Sequence, residues 1–440
     1  MRLKSSASRL SLLLGALFLS APAFSADLAQ VYRDALVNDA QYAAARATAE
    51  AGREKEPQGL SGLLPTIGAT ANTLWNDNKY DPPGISRSYN SNAYNVSLTQ
   101  PLFRWQNYVQ YGQAKLQVVQ TEANFAQASQ DLILRVAQAY FDVLNAQENL
   151  KAVRANKQSI TQQLEQAKKN FEVGTATITD SQEAQSRYDL ASAQEIAAES
   201  DLDVKRYALR LIVGRDSGEL NRLKPQAELK SPQPASMDAW VDAAEKGSFA
   251  VQAQQAAAEV AAKEVDRARA GHYPTLDAVA NYGENRTVGS SGDRAITDAR
   301  NIGLQLNIPI FQGGYVNSKT REAVANRTAA EAGLESAKRT ASLNVQQSFL
   351  GVVNGLAQVK ALDAALISSS SALESNKLGY EVGVRINIDV LNAENQVYVT
   401  KRDLAKARFD TLLAQLKLKA AVGSLSETDL EQINPLFEAP

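Results

Sequence analysis

The residues that usually carry chemistry are scarce in this 440-residue chain: it has no cysteine and a single histidine, His272. Disulfides, thiolate metal sites and the common His-based zinc or general-base constellations therefore cannot be assembled. Carboxylates remain, but they are dispersed along helical stretches, where a solvated face is their ordinary role, so catalysis and resident cofactors are disfavoured. Two short constellations have informative spacing. One is Phe171-Glu172-Val173-Gly174 followed by Asp180, and the other is Tyr380-Glu381-Val382-Gly383 followed by Asp389. In each, the glycine reads as the left-handed end of a helix. The aspartate stands where a returning helix needs a cap. Asp180 with Glu183 has a capping-box pattern, and Asn392 replaces the glutamate in the second copy. What such sites offer is hydrogen bonds and charge at a tight turn, not a reaction.

The elements that must position these turns are very long helices. Leu102 to Arg210 holds no proline and only Gly112 and Gly174 as glycines, and Ile310 to Asn434 again holds no proline. Ala, Gln, Glu, Lys, Arg and Leu dominate, all strong helix formers. Gln113 to Val173 alone would extend about 90 Å as continuous helix, which implies coiled-coil packing. The apolar residues are mostly alanine, so each helix offers a narrow seam. Packing against several neighbours, rather than around one thick core, is the expectation.

The second half repeats the first. Pro65 matches Pro274, Ala71-Asn72 matches Ala280-Asn281, Pro101 matches Pro309, Phe103 matches Phe311 and Phe141 matches Phe349. The register continues through Val173-Gly174 with Val382-Gly383, Asp180 with Asp389, and Val213-Gly214 with Val422-Gly423. Each unit opens with two period-2 segments. Tyr94, Val96 and Leu98 alternate with Asn95, Ser97 and Thr99, and Ile302, Leu304, Leu306, Ile308 and Ile310 alternate with Gly303, Gln305 and Asn307. The predicted strands are about 64–75 and 92–102, then 274–284 and 300–310, joined by polar loops Asn76 to Asn92 and Glu284 to Arg300. Strands of this length suit a tilted membrane crossing, although the alternation alone fits a soluble sheet with one buried face equally well.

The N-terminus favours the membrane. Arg2, Lys4 and Arg9 precede the apolar run Leu10 to Phe18, and small residues follow at Ala21-Pro22-Ala23-Phe24-Ser25-Ala26. This is a secretory signal peptide over 1–25, with cleavage after Ser25 favoured over cleavage after Ala26. Its removal lowers Lys+Arg from 46 to 43 against 48 acidic residues, a mature net charge of -5, and nucleic acid is not a suggested partner. No later stretch approaches 18 consecutive apolar residues, so any membrane crossing must use strands.

These features together resemble the TolC family of outer-membrane efflux proteins, over essentially the whole mature chain. The local matches are Tyr380 to Asn392, its partner Val173 to Asp180, and Leu404 to Leu430 with Ala421-Val422-Gly423-Ser424-Leu425 inside it. The resemblance implies a mainly α fold with a small membrane β part. Three chains each give four strands to a 12-stranded barrel, and their helices continue as a periplasmic tunnel. It divides the chain into a first repeat over 26–225, which opens with an N-terminal helix and has its tip near 174–180, and a second repeat over 226–425 with its tip near 383–389. A C-terminal tail, 426–440, falls in the equatorial region.

The resemblance also assigns residues. Asp389 matches a constriction aspartate, where three copies would repel one another and attract cations. The second constriction position is Asn392, which leaves three carboxylates instead of six. Tyr380 and Arg385 match residues that hold the closed state, with Thr179 and Asp180 as acceptors. Val173, Gly174 and Thr175, with Val382, Gly383 and Val384, resemble the docking site for a periplasmic adaptor. The implied function is a passive homotrimeric exit duct, set in outer-membrane lipid and joined to an inner-membrane ABC, RND or MFS pump. Drugs and secreted polypeptides are not distinguished as cargo, and the competing reading is a coiled-coil surface protein without a channel.

Overall fold

A computed structural model describes residues 26–81, 84–175, 177–288 and 293–439, with residue 387 described by its backbone only. The signal-peptide segment 1–25 lies outside the described residues. In chain order the first half holds α1 (Leu28–Asn38), α2 (Ala40–Arg53), α3 (Lys55–Ser61), β1 (Thr66–Tyr80), β2 (Ile85–Phe103), α4 (Trp105–Glu172), α5 (Ile178–Val213) and the short β3 (Arg222–Leu223). The second half holds α6 (Met237–Gly247), α7 (Phe249–Arg269), β4 (Thr275–Val288), β5 (Arg294–Asn307), α8 (Tyr315–Glu381), α9 (Asn387–Ala421), α10 (Glu427–Ile433) and β6 (Phe437–Glu438).

The four long strands form one antiparallel sheet in the order β1-β2-β4-β5. Cross-strand partners share a face. The row Ile67, Leu98, Ala280, Ile302 is apolar, the row Ala69, Val96, Tyr282 on the same face ends in Arg300, and the row Gly68, Ser97, Asn281, Asn301 on the opposite face is polar. One face of the sheet is thus mainly apolar over these rows and the other hydrophilic. The hairpins are longer than the alternation predicts. β1 and β2 run 15 and 19 residues, and most of the predicted loops Asn76 to Asn92 and Glu284 to Arg300 is strand. Polar side chains paired across the ladder explain the extension. Thr73 donates to Asn90 (2.9 Å), the Asn76 amide to Ser91 (2.8 Å), and Ser88 to Asp77 (2.8 Å). β5, by contrast, ends at Asn307, short of the predicted 310. Pro309 two residues on has no N–H for the ladder. The β2–β4 register slips between Pro101 and Phe103 for the same reason.

From the sheet, α4 and α8 each descend for about 100 Å, over 68 and 67 residues. Near the sheet, α4 packs on α2, α3 and α7, and α8 packs on α7 and α6; lower down, α4 packs on α5 and α9, and α9 on α8. Each level is therefore a curtain of helices: α2/α3-α4-α7-α8 above and α5-α4-α9-α8 below. α8 contains an 18-residue window apolar enough by mean hydropathy (1.4) to cross a membrane, but only 6% of it is buried within the chain. At 67 residues the helix far exceeds a bilayer of about 30 Å, and its apolar face is one that another polypeptide can cover.

Between the two levels the narrow-seam expectation fails. A thick core gathers Leu28 and Val31 of α1, Leu132, Val136, Tyr140 and Leu144 of α4, Leu412 and Leu416 of α9, and Leu430 of α10. Phe141 stacks on Phe409 (5.8 Å) and Phe437 (6.0 Å), and the pairing of β3 with β6 closes this belt. The C-terminal segment, with Leu430 and Phe437, is part of it. The large residues that build it are spread over six elements; α4 and α9 display their shares as stripes, at Leu132, Val136, Tyr140 and Leu144 and at Phe409, Leu412, Leu413 and Leu416, while the rest come from elements distant along the chain.

One ion pair pins α2 to α4. Arg135 makes a bidentate contact with Asp39 (2.8 and 2.9 Å), which also caps α2 by accepting from the Tyr42 amide. The Arg135 guanidinium holds the Asp39 carboxyl below its usual range. Arg135→Ala is expected to cost about 2–3 kcal/mol, less than a fully buried pair would, because the arginine side chain is 31% exposed. A carboxylate with a lowered folded pKa contributes stability above about pH 4 and loses it as pH falls through the folded value. Scanning calorimetry should therefore show a lower melting temperature for the variant at neutral pH and a gap to wild type that narrows below pH 4.

Candidate functional site at the hairpin tips

The two helical hairpins end in the same turn. At the first, the Thr175 amide donates to Asn170 O (2.8 Å) and the Gly174 amide to Phe171 O (3.0 Å), with Gly174 at φ 76°. At the second, the Val384 amide donates to Gly379 O (2.9 Å) and the Gly383 amide to Tyr380 O (3.1 Å), with Gly383 at φ 79°. These are paired six-to-one and five-to-two closures around a left-handed residue. Nothing lies within 4 Å of where a Cβ on either glycine would sit, so backbone conformation alone selects glycine there.

The returning helices start earlier than predicted. Thr177, not Asp180, is the N-cap of α5, and Asp180 is its third residue. The Asp180 amide donates to the Thr177 hydroxyl (3.2 Å), while the Thr177 amide (3.0 Å) and hydroxyl (2.8 Å) donate to the Asp180 carboxylate. These bonds hold that carboxyl below its usual range. Glu183 takes no part and accepts from Arg187 instead. Asp389 likewise sits in the first turn of α9 behind Ile386 at the cap, and pairs with Arg385 at 3.6 Å. Asn392 is exposed one turn further on. The Thr-x-x-Asp spacing at 177–180 is the sequence signal that locates the first cap.

Within one chain the predicted closed-state residues bond locally. Arg385 faces Asp389 and Asp180 faces Thr177, and among the described residues no hydrogen bond joins Tyr380 or Arg385 to Thr179 or Asp180. Buried Gly379 supports Arg385, whose Cγ lies 2.7 Å from where a Gly379 Cβ would be; the glycine immediately before Tyr380 had no reading from sequence. A second unforeseen group lies just above the tips, toward the belt. Glu394 of α9, 5% exposed, accepts from Gln163 of α4 (2.8 Å) and pairs with Lys377 of α8 (3.5 Å), linking three helices. Around the turns, Val173, Val382 and Val384 are 73%, 65% and 76% exposed, and Phe171, Ile178 and Ile386 are also open. The tips are apolar knobs on polar stalks.

The family described as "Outer membrane efflux protein" matches twice, over residues 31–215 and 240–424. The chain belongs to this family. The two matched segments carry one hairpin tip each. The outer membrane protein TolC of Vibrio cholerae is 34% identical over 421 residues, covering 94% of this chain and 95% of that one. The alkaline protease secretion protein AprF of Pseudomonas aeruginosa is 31% identical, covering 96% and 89%. Among solved structures, the CmeC outer membrane channel of Campylobacter jejuni superposes with a TM-score of 0.81 at 17% identity, covering 99% of this chain and 97% of that chain. This member of the outer membrane efflux family is thus a TolC-like outer-membrane efflux channel, not an enzyme.

Proposed function

We propose that three copies of this chain close into one duct: a barrel through the outer membrane, continued by a helical tunnel whose hairpin tips form a gate. The observation that carries this reading is that both layers are open in the same sense. The sheet ends in unpaired edges at β1 and β5, and the lower curtain ends at α5 and α8. Sheet edges in lipid leave backbone groups unsatisfied, and cyclic assembly removes them. The exposed apolar residues Leu190, Val204 and Leu211 of α5, and Leu343, Leu350 and Ile367 of α8, lie on the curtain's two outer helices, where a neighbouring copy would cover them. The mature protein extracted in detergent should run as a trimer by light scattering and conduct ions in planar bilayers; a monomer that is water-soluble without detergent would overturn the reading.

At the gate, Asp389 faces its own copies with Asn392 behind it. Tyr380 and Arg385 tie the α8–α9 hairpin to Thr179 and Asp180 of α4–α5 across the subunit boundary. The exposed valines of the two tips receive the helical hairpins of a periplasmic adaptor, through which an inner-membrane ABC, RND or MFS pump drives export. The open space around Gly174 and Gly383 makes this testable. Leucine at either position strains the turn by about 1 kcal/mol without an internal clash and covers the valine knobs. Gly174→Leu and Gly383→Leu should each abolish drug export in a deletion strain while the trimer persists on native gels. Retained export would remove the docking assignment.

A further inference from the structure

The internal repeat extends to the hydrogen-bond register of the sheet. β1 faces β2 with Thr66 opposite Thr99, and β4 faces β5 with Thr275 opposite Asn307. The offset that carries Pro65 onto Pro274 carries β1 onto β4, and the offset that carries Pro101 onto Pro309 carries β2 onto β5. Applied together they turn the pair Thr66–Thr99 into Thr275–Asn307, the pair the second hairpin makes. The seam between the hairpins, β2 against β4, sets Leu98 opposite Ala280, Tyr94 opposite Glu284 and Asn92 opposite Arg286. Its repeat equivalents lie on the two open edges of the sheet: Leu306 and Ala71, Ile302 and Trp75, Arg300 and Asp77.

We propose that β5 of one copy pairs with β1 of the next in this single register, and that the charges at the outer ends of the two edges select it. The inference rests on the three-copy duct proposed above and names the surface by which a second copy is recognised. Leu306 faces Ala71, Ile302 faces Trp75 and Arg300 faces Asp77. Two residues further along the same ladder, Asp298 faces Lys79. All of these residues belong to the face that carries Ile67 and Ile302, so the mainly apolar face continues across the boundary. Asp77-Asn78-Lys79 thereby meets Asp298-Ala299-Arg300 antiparallel, with opposite charges opposed at both positions. All four charged residues are exposed. Asp77 accepts from Ser88 of β2 (2.8 Å), and the Arg300 guanidinium lies over the Tyr282 ring of β4 (5.4 Å). Both are thus steadied from within their own sheet.

The neighbouring registers are rejected by different means. A slip of one residue sets Ala69, Ala71 and Trp75 beside Asn307, Gln305 and Asn301, which mixes the two faces. A slip of two residues keeps the faces but opposes like charges, Asp77 with Asp298 in one direction and Lys79 with Arg300 in the other. From Ile67 a strand tilted about 40° climbs about 25 Å to Asp77, the height of the lipid-facing band. The charges therefore stand at the outer margin of the bilayer. Solvated pairs there add little raw affinity; their effect is to exclude the wrong alignments.

The chain has no native cysteine, so the register can be read by cross-linking trimers extracted in detergent. Ala71→Cys with Leu306→Cys should be linked between copies by a thiol-reactive reagent of about 5 Å span, the separation of directly opposed Cβ atoms, roughly ten-fold faster than diagonal pairs. Those slipped pairs are Ala71→Cys with Leu304→Cys and Ala71→Cys with Ile308→Cys. Equal rates, or faster linking of a slipped pair, within an intact trimer overturn the register and leave the duct standing. A wild-type chain that is monomeric in detergent overturns the duct and the register with it. The charges are tested separately. Asp77→Arg should lower the temperature at which the trimer dissociates on a semi-native gel, and adding Arg300→Asp should restore it, although both variants lose the bond to Ser88. If Asp77→Arg prevents assembly outright, recovery of trimer by the second change is the expected result. A double variant no better than the single one removes the charged selection.

Discussion

Trimers carrying Tyr380→Phe and Arg385→Ser are expected to conduct several-fold more current than wild type in planar bilayers, with unchanged assembly. In the proposed latch the phenol would contribute a neutral hydrogen bond of about 1 kcal/mol, and the guanidinium a charge-assisted one of about 1.5–3 kcal/mol. Loss of both shifts the opening equilibrium by about 3 kcal/mol per subunit, or roughly a hundred-fold at 1.4 kcal/mol per tenfold. A docked adaptor can supply a bias of that size, which is what a gate operated from outside requires. The turn should survive both changes. It is closed by main-chain bonds to Gly379 and Tyr380 carbonyls, and neither side chain takes part in them.

Arg385 has a second role that must be separated from the first. Within its own chain it lies 3.6 Å from Asp389, with 59% and 34% of the two side chains exposed, so removing it also leaves that carboxylate less screened. A rise in conductance could then come from a more cation-attracting constriction with the gate still shut. Tyr380→Phe alone carries no charge change, so a partial rise in that variant isolates the latch. Adding Asp389→Asn to the double variant removes the electrostatic contribution. Conductance that stays high in the triple variant is the expected result. Conductance that falls to the wild-type level would assign the effect to charge and remove the latch.

The parts of this architecture that the sequence displays are those built from local periodicity. Long proline-free runs of helix formers foretold α4 and α8, period-2 alternation located the four strands, and Gly174 and Gly383 marked both tips. What it concealed depends on contacts distant along the chain. Leu28 and Leu430 are unremarkable in their own windows, and they join the stripes of α4 and α9 in one core only when α1, α4, α9 and α10 meet. The strand extensions were hidden because Asn, Ser and Asp read as loop until Asn76 is seen bonded to Ser91 and Asp77 to Ser88. At the tips the type of residue was legible and its exact station was not. A shift of three positions moves Asp180 from cap to first turn, and only the Thr177 hydroxyl bond distinguishes the two. Glu394 is not legible in the sequence because a glutamate in a helix is ordinarily solvated, and its burial arises from three helices converging on it.

The proposed constriction yields the second large effect. With one carboxylate per chain at Asp389 and an amide at Asn392, the wild-type duct should be only weakly blocked by a trivalent cation such as hexamminecobalt, and Arg385 beside Asp389 weakens the attraction further. Asn392→Asp adds three carboxylates about one turn from the first ring. At roughly 8 Å in water each interacts with a trivalent ion by about 1.5 kcal/mol before screening, and ionic strength near 0.15 M leaves about a third of that. The three together strengthen block at least ten-fold. Asp389→Asn should abolish block and lower cation selectivity, measured as reversal potential in a salt gradient. Asn392 is exposed, so the aspartate costs nothing in packing, and the comparison reads charge alone. Block of the wild-type channel at micromolar concentration, or an Asn392→Asp variant no more sensitive than wild type, would place these residues away from the narrowest point of the tunnel.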